Sequence, residues 1–587
     1  MLVFGDIERV EEVMAIRAAI AHDLDEAVAM PPGLTRHERL VAAFIRTGEL
    51  VQGLLDEAFE KDGIDEWSPL QDAGGRLLRV EAEAIIGSWR SGFDGGLSLD
   101  PLWPDLLRRL NGPDTVRLRQ PEGYAFYALL PEIYAEAALR SGLTASTVVI
   151  GIRSIGTSLA AMVSAALGAA PAGSLRPHGH PFERRVDIGP ALARRLLAGR
   201  DQSYAIVDEG PGLSGSSFGS VADWLEKNGV ERSRIHFFPS HAGDPGAQAS
   251  ERHVRRWKER PRHLDTVDRL LLDPATARLP SWVSDLTGAR CGSWRDISGG
   301  RWRKIGAAKD ATRPPVDAQF ERRKFLFERE AGGRRERFLV KFAGLGDVGT
   351  AKARRGALLH EAGFAPKIAG TCHGFLVQQW VETAHIPITA LPRLQVLDHL
   401  ARYLGFRARH LSGGGQGATL RELCDVAVYN FAGTFGEDMG KKLRLLAEAH
   451  GRPCRRLRRI DSDNRLHAWE WLVTPGGSLL KADAVDHNSA HDLVGCQDIA
   501  WEVAGAAVEF DLTAPERRRL AEAVGRLADG SLEDDVLTLF EACYLGFQTG
   551  LWWMALERAS GDERAPIAAL LSRYRRRAEC LLDGREC

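Results

Sequence analysis

The stretch that most constrains this chain is YAIVDEGPGLSGSSFGSVADWLEKNG, residues 204–229. A short apolar run leads directly into two adjacent carboxylates, Asp208 and Glu209. A loop of small residues follows, and then a segment with helical periodicity. An apolar run closed by turn residues reads as a buried strand. Strand, tight loop and helix together read as one unit of a parallel α/β sheet. Glycines in the loop allow backbone N–H groups to turn inward onto an anion. The helix start at Ser216–Ser217 adds unsatisfied N–H groups and the positive end of a dipole. Twin carboxylates beside such a site repel an anion unless sugar hydroxyls or a divalent cation such as Mg²⁺ come between them.

The flanking sequence repeats the pattern. TVVIGI (147–152) predicts a strand, followed by a turn containing Arg153, Ser154, Gly156 and Thr157 and an Ala-rich helix. RIHFF (234–238) predicts a third strand, and Ala125–Arg140 predicts a helix. Between the two loop units, SLRPHGHPFERR (174–185) clusters Arg176, His178, His180, Arg184 and Arg185, a basic flap suited to closing over a polyanion. Strand–helix alternation over 116–258 predicts a doubly wound parallel sheet with its site at the strand C-termini.

On these three segments, residues 116–245 resemble the type I phosphoribosyltransferases, and the preceding EGYAFYALLPEIY (122–134) resembles that of phosphoribosyltransferase-like proteins of bacterial stress and tellurite-resistance operons. The resemblance implies that Gly212, Ser214, Gly215, Ser216 and Ser217 hold the 5-phosphate of phosphoribosyl pyrophosphate (PRPP). It implies that Arg153, Ser154, Gly156 and Thr157 hold its pyrophosphate, closed over by Arg176, His180 and Arg184. Asp208 and Glu209 would then hold the ribose and act catalytically with Mg²⁺ while pyrophosphate leaves C1. The loop here is one residue longer than the family pattern and contains Pro211.

The rest of the chain is bounded by composition. Its 587 residues suggest about three to five domains. A hydrophobic share of 44% and a charged share of 27% exclude a mostly disordered chain. Lys+Arg of 77 against Asp+Glu of 79 gives no basic excess for nucleic acid. The eight cysteines lie at or after Cys291 with no CxxC pair, which predicts reduced thiols and neither a zinc ribbon nor a disulfide framework. The N-terminus lacks the apolar core of a secretory signal. The longest near-apolar stretch, Leu159–Ala172, is too short to span a bilayer. A cytoplasmic protein with small-molecule substrates, and no membrane or nucleic-acid partner, is expected. Residues 1–115 read as helices, with 3–4 apolar spacing over 34–60, fitting a packing or homo-oligomerisation module. Residues 259–290 read as a connector, with a further domain over 291–587.

That last region predicts antiparallel strands (320–327, 336–342, 375–381) and then long helices, one capped at Thr513. GLGDVG (344–349) matches GxGxxG but lacks a preceding βαβ unit and an acid about 20 residues on, so no dinucleotide site is expected. DISGGRWRKIG (296–306) offers a glycine turn at Ser298, Gly299 and Gly300. FLVKF places Lys341 on a strand, FLVQQWVE ends at Glu382, and KADAVDH (481–487) carries Asp486. The segment resembles choline- and aminoglycoside-type phosphotransferases, including the 12-residue spacing of Asp486 and Asp498. The resemblance implies a bilobal protein-kinase-like α+β domain. ATP would be bound by Gly299, Gly300, Lys341 and Glu382, Mg²⁺ by Glu470 and Asp486, and the catalytic base would be Asp461 or Asp463. IDSDNRLHAWEWL (460–472) departs from the family by lacking Asn five residues after either Asp. Glu361 is the one acidic candidate to pair with Lys341 from the following helix. His467, His487 and His491 read as polar surface or core residues rather than a metal site. Two readings stand: a bifunctional transferase using PRPP and ATP, or a PRPP-sensing regulatory or stress-response protein on an inactive kinase-like scaffold.

Overall fold

The computed structural model describes residues 8–199, 202–288, 292–305, 313–317, 321–331, 333–411, 413, 417–450, 457–487 and 494–585. Strand β1 (Glu8–Glu12) pairs antiparallel with β2 (Thr115–Arg119), clamping the two ends of the first region together. Between them lie α1 (Val13–Ala29), α2 (Leu34–Asp62), α3 (Pro69–Arg90) and α4 (Trp103–Arg109). The 3–4 spacing of α2 buries Leu40, Phe44, Val51 and Leu55. Helix α3 begins where the Ser68 hydroxyl accepts from the Gln71 N–H and Pro69 occupies the first turn. The buried face of these helices is continuous with that of the region that follows, so they form a supporting wall rather than a detached module.

Helix α5 (Glu122–Phe126) and helix α6 (Pro131–Arg140) replace the single helix expected over 125–140. The break falls where Ala128 takes φ +54° and Pro131, which has no N–H to continue a helix, starts the next one. There follow β3 (Val148–Ile152), α7 (Gly156–Leu167), β4 (Gly173–Leu175), the hairpin β5 (His178–His180) and β6 (Glu183–Arg185), α8 (Pro190–Leu196), β7 (Tyr204–Val207), α9 (Ser216–Lys227) and β8 (Ile235–Phe238). The sheet runs β4–β3–β7–β8, all parallel. The chain leaves β3 for one neighbour and returns on its other side as β7. A crevice therefore opens beyond the C-termini of β3 and β7, the switch point at which α/β sheets bind ligands. Residues 251–287 contain α10 (Glu251–Glu259), α11 (Val267–Leu272) and α12 (Arg278–Thr287), so the expected connector is largely helical.

An antiparallel sheet of order β12–β13–β11–β10–β9 comes next. It is built from β9 (Ser293–Asp296), β10 (Lys324–Ala331), β11 (Arg334–Phe342), β12 (Ile368–Cys372) and β13 (Phe375–Gln379), with α13 (Gly346–Glu361) after β11. Phe325 opposite Val340 and Phe327 opposite Phe338 fix its register. The remainder is mainly helical: α14 (Arg393–His410), α15 (Leu420–Phe435), α16 (Glu437–His450), α17 (Ile499–Glu509), α18 (Ala514–Leu527), α19 (Asp534–Arg558) and α20 (Arg564–Leu582). The short pairs β14 (Arg459–Ile460) with β17 (Gln497–Asp498), and β15 (Trp471–Val473) with β16 (Leu479–Lys481), lie between α16 and α17. Helix α18 starts with the expected Thr513–Glu516 capping box. Among the described residues no helix is long and apolar enough to cross a membrane. Cys580 is disulfide-bonded, against the expectation of reduced thiols throughout, while Cys372, Cys424 and Cys543 are free thiols.

Candidate functional site

Two clusters of acids emerge, each at the end of a buried strand. The first is the β3/β7 crevice. The Asp208 N–H donates to the Phe238 carbonyl at 3.3 Å, the Tyr134 hydroxyl donates to the Asp208 carbonyl at 2.8 Å, and the Ser240 N–H donates to the Glu209 carbonyl at 2.8 Å. These contacts hold the acid-bearing turn from three elements. Gly156 is required here, because a Cβ would stand 2.5 Å from the Val207 carbonyl oxygen. Burial is the main reason that Asp208 is pushed up to about 7 and Glu209 to about 8, and Asp208 itself adds to the rise at Glu209.

The loop after the acids is shaped as expected but is not free. Gly212 and Gly215 are left-handed, with φ of +58° and +66°. The Ser214 and Ser216 hydroxyls both donate to the Pro181 carbonyl at the tip of the β5–β6 hairpin, at 3.1 and 2.8 Å. The Gly215 N–H donates to the Pro211 carbonyl at 2.7 Å, and the Ser216 N–H to the Ser214 hydroxyl at 3.3 Å. Ser217 is half-buried on the first turn of α9. The hairpin is thus closed on the loop, with its own carbonyl where an anion was expected.

The expected pyrophosphate residues are also engaged. Arg153 is buried and pairs with Asp56 of α2 at 3.1 Å and with Asp65. Arg176 reaches Asp56 through Nε at 2.8 Å. Burial lowers Arg153 to about 10 against the pull of Asp56. Two acids from the N-terminal region therefore neutralise two cations assigned to a polyanion, which the local sequence could not reveal. Ser154 accepts the Thr157 N–H through its carbonyl at 3.1 Å, and the buried Thr157 hydroxyl has no hydrogen-bond partner. His180 lies exposed at the hairpin, accepting the Phe182 N–H at 3.3 Å, and Arg184 donates to the Pro177 carbonyl at 3.4 Å.

The second cluster centres on Lys341 of β11. Its Nζ lies 2.7 Å from Asp486 and 2.9 Å from Asp483, both on the segment after β16. Burial opposes the charge on Lys341, but the two carboxylates outweigh it and raise its pKa above the usual lysine range. Glu361 is exposed and takes no part. Helix α13 instead supplies cations: Lys352 reaches the other oxygen of Asp486 at 3.1 Å, and Arg355 reaches Asp461 at 2.9 Å. The Lys352 ammonium is lowered by burial to about 8, partly offset by Asp486. The Ala–Lys–Ala–Arg–Arg run after the GxGxxG motif was the signal for this. The motif itself is structural: the Leu345 N–H donates to the Tyr124 carbonyl at 2.9 Å.

From Lys341 the ionic chain runs on. Lys481 donates to the Asp483 carbonyl at 2.8 Å and meets Glu470 at 2.6 Å and Asp463 at 3.4 Å. His487 lies 3.6 Å from Asp463 and 3.9 Å from Asp483. Lys341, Asp486 and Glu470 are so joined in one network, as their spacing on the sequence could only suggest. Asp463 has no exposed side-chain surface and is further held by Tyr403 and Arg407, whereas Asp461 is 23% exposed. Asp498 is the N-cap of α17. Gly299 and Gly300 form a left-handed turn, but Ser298 is bound to β10 through Lys324, and Glu382 pairs with Arg337 on the surface. His467 is buried beside the Tyr574 hydroxyl, while His491 lies outside the described residues.

A Mg²⁺ ion needs hard oxygen donors that can be freed toward solvent. Asp483 and Glu470, with side chains 26% and 16% exposed, meet that condition. Asp463 and Asp486 are enclosed by ammonium and guanidinium groups, so they fit a supporting role better than direct ligation.

No family model matches the chain, and no curated protein matches it. Among solved structures it is similar to choline kinase LicA from Streptococcus pneumoniae, at 15% identity and TM-score 0.33, over 53% of this chain and 99% of that one. It is also similar to a choline/ethanolamine kinase family protein from Mesorhizobium loti, at 14% identity and TM-score 0.31, over 44% and 88% of the two chains. Spectinomycin phosphotransferase APH(9)-Ia, solved with ADP and spectinomycin, matches at 10% identity and TM-score 0.33, over 51% and 93%.

Proposed function

We propose that the chain is an ATP-dependent phosphotransferase acting on a small molecule, with its reactive centre at Lys341. The observation that carries this reading is the buried ammonium of Lys341 on a central antiparallel strand, 2.7 and 2.9 Å from two carboxylates of a separate segment. Phosphoryl transfer asks for little covalent help from protein: it needs a cation on the phosphates, carboxylates on the metal and a base at the acceptor. Lys341 supplies the cation. Asp483 and Glu470 are the residues that would hold Mg²⁺, which would supply positive charge against the phosphates. Asp461 is the better base, because its carboxylate is partly open to solvent while that of Asp463 is sealed. Asp463 and Asp486 position Lys481, Lys341 and Lys352.

The test is calorimetry with ATP and Mg²⁺, followed by incubation with a cell extract and mass analysis for new phosphorylated species. Binding lost in Lys341→Met, with product formation lost in Asp483→Asn, is the expected result. No heat at millimolar ATP sinks the reading.

A second reading concerns the β3/β7 crevice and rests on the raised carboxyls of Asp208 and Glu209 at a sheet switch point. That pair suits the hydroxyls of a ribose phosphate with Mg²⁺, as in PRPP. Transfer from PRPP and mere sensing of it both require the β5–β6 hairpin to lift Pro181 from Ser214 and Ser216. Calorimetry with PRPP and Mg²⁺ decides whether the site binds, and pyrophosphate release decides between the two roles.

A further inference from the structure

Away from both acid clusters, three buried side chains from three parts of the chain meet at one point. His37 comes from α2, Glu132 from α6 and His373 from the turn between β12 and β13. His37 and His373 have no exposed surface and Glu132 is 1% exposed. The His37 Nε2 lies 2.8 Å from one carboxylate oxygen of Glu132, and the His373 Nε2 lies 3.4 Å from the other. Trp89, Phe93 and Trp282 surround the two rings.

The polar bookkeeping of this cluster does not close. The His373 Nδ1 makes no hydrogen bond, and the His373 Nε2 and the second oxygen of Glu132 meet only each other, at 3.4 Å and without hydrogen-bond geometry. Polar atoms buried this deeply without partners cost on the order of 1–3 kcal/mol each. His37 has its other nitrogen, Nδ1, 3.1 Å from the Ser88 hydroxyl. With that nitrogen donating to Ser88, the Nε2 lone pair faces the carboxylate and a cation between them reconciles the two; with the Ser88 hydroxyl donating instead, the Nε2–H donates to Glu132. A hydrogen bond from the far nitrogen of a ligating imidazole is also the usual device for fixing its tautomer.

The geometry points to a divalent metal site of zinc type formed by His37, Glu132 and His373. All three ligand atoms lie within 4.8 Å of one another. Tetrahedral bonds of about 2.0–2.2 Å set ligand atoms about 3.3–3.6 Å apart; the 3.4 Å His373–Glu132 contact fits as it stands, and the 2.8 Å His37–Glu132 contact lengthens to admit the ion. Imidazole with carboxylate favours Zn²⁺ over Mg²⁺ or Ca²⁺, which prefer all-oxygen sets. Glu132 and the nearby Glu38, whose carboxylate accepts the His373 N–H, provide two negative charges for the ion. Arg278, stacked 4.1 Å over Trp89, is the charge working against it. Enclosed by aromatic rings, the ion would be structural, riveting the N-terminal helices to α6 and to the β12–β13 turn.

The full chain, purified without metal-affinity resin and dialysed against micromolar Zn²⁺, is expected to keep about one zinc per chain through gel filtration. EDTA is expected to lower its thermal midpoint. Glu132→Gln and His373→Gln should each reduce bound zinc at least about tenfold, whereas His236→Asn, remote from the cluster, should not. No retained zinc together with a midpoint indifferent to EDTA overturns the site and leaves a hydrogen-bonded imidazole–carboxylate triad. Equal retention by the variants overturns it by placing the ion elsewhere. Should the variants fail to fold, X-ray absorption on the zinc-loaded natural chain decides: a nitrogen and oxygen shell supports the site, and sulfur ligation refutes it.

Discussion

The β3/β7 crevice and the Lys341 centre both gather carboxylates at the end of a buried strand, but their charge balance is opposite. At Lys341 the acids meet ammonium and guanidinium groups. Burial alone would raise Asp483 and Asp486, but Lys341 and its neighbours hold both below the usual range. At the crevice, Asp208 and Glu209 form no ion pair among the described residues; Arg184 and Arg176 draw Asp208 down, but burial outweighs them and both acids rise. Two of the cations that sequence placed there, Arg153 and Arg176, are instead turned toward Asp56 and Asp65. A compensated cluster is stable as it stands and must exchange a lysine contact to take a metal. An uncompensated one carries a cost that a ligand can remove.

This contrast can be broken most forcefully at Lys341. Lys341→Ala takes the nearest cation from the buried Asp486, which keeps only Lys352, and from the half-buried Asp483, so it should destabilise the chain by about 3 kcal/mol in urea unfolding as well as abolish ATP binding. A loss under about 1 kcal/mol would mean that the carboxylates are not truly compensated by this lysine. Asp483→Asn keeps the shape and removes one charge. It should cut phosphoryl transfer about 100-fold, or about 2.7 kcal/mol, while leaving the unfolding midpoint nearly unchanged.

The crevice should respond in the other sense. Its acids have folded pKa values of about 7 and about 8, above those of an unfolded chain. Between about pH 4 and pH 8 the folded chain therefore holds protons that the unfolded chain has released, and stability falls as pH rises. Asp208→Asn with Glu209→Gln should make the unliganded chain more stable than the natural one by roughly 2 kcal/mol near pH 8.5, with the gap closing toward pH 4. Destabilisation at both pH values would reverse the comparison. The smallest effect is expected where charge is only superficial. Arg575 pairs with Glu579 at 2.9 Å on the exposed side of α20, and Arg575→Ala should cost at most about 1 kcal/mol by thermal melting.

Local pattern carried much of the architecture. The strands 148–152, 204–207 and 235–238 and the helix from Ser216 follow from apolar runs and small-residue turns that act over a few residues. The antiparallel sheet around Lys341 was legible for the same reason. What stayed hidden was long-range electrostatics. Asp56 and Arg153 are 97 residues apart, and His37 and Glu132 are 95 apart. Nothing in the immediate surroundings of either residue marks its partner. The expectation of an acid from α13 failed to anticipate Lys352, because the two carboxylates that satisfy Lys341 come from beyond β16 and leave a surplus of negative charge for a second lysine.

One short element touches both clusters. In α5, the Gly123 N–H faces the Glu209 carboxylate, the Tyr124 carbonyl accepts from Leu345, and the Phe126 carbonyl accepts from Arg322 at 3.0 Å. The Phe126 ring also lies 5.4 Å from the Lys352 ammonium. Mutational effects add only when the altered groups share no neighbours. A substitution in these five residues is therefore felt at both clusters, and paired variants drawn from the two should be non-additive whenever one of them shifts this turn.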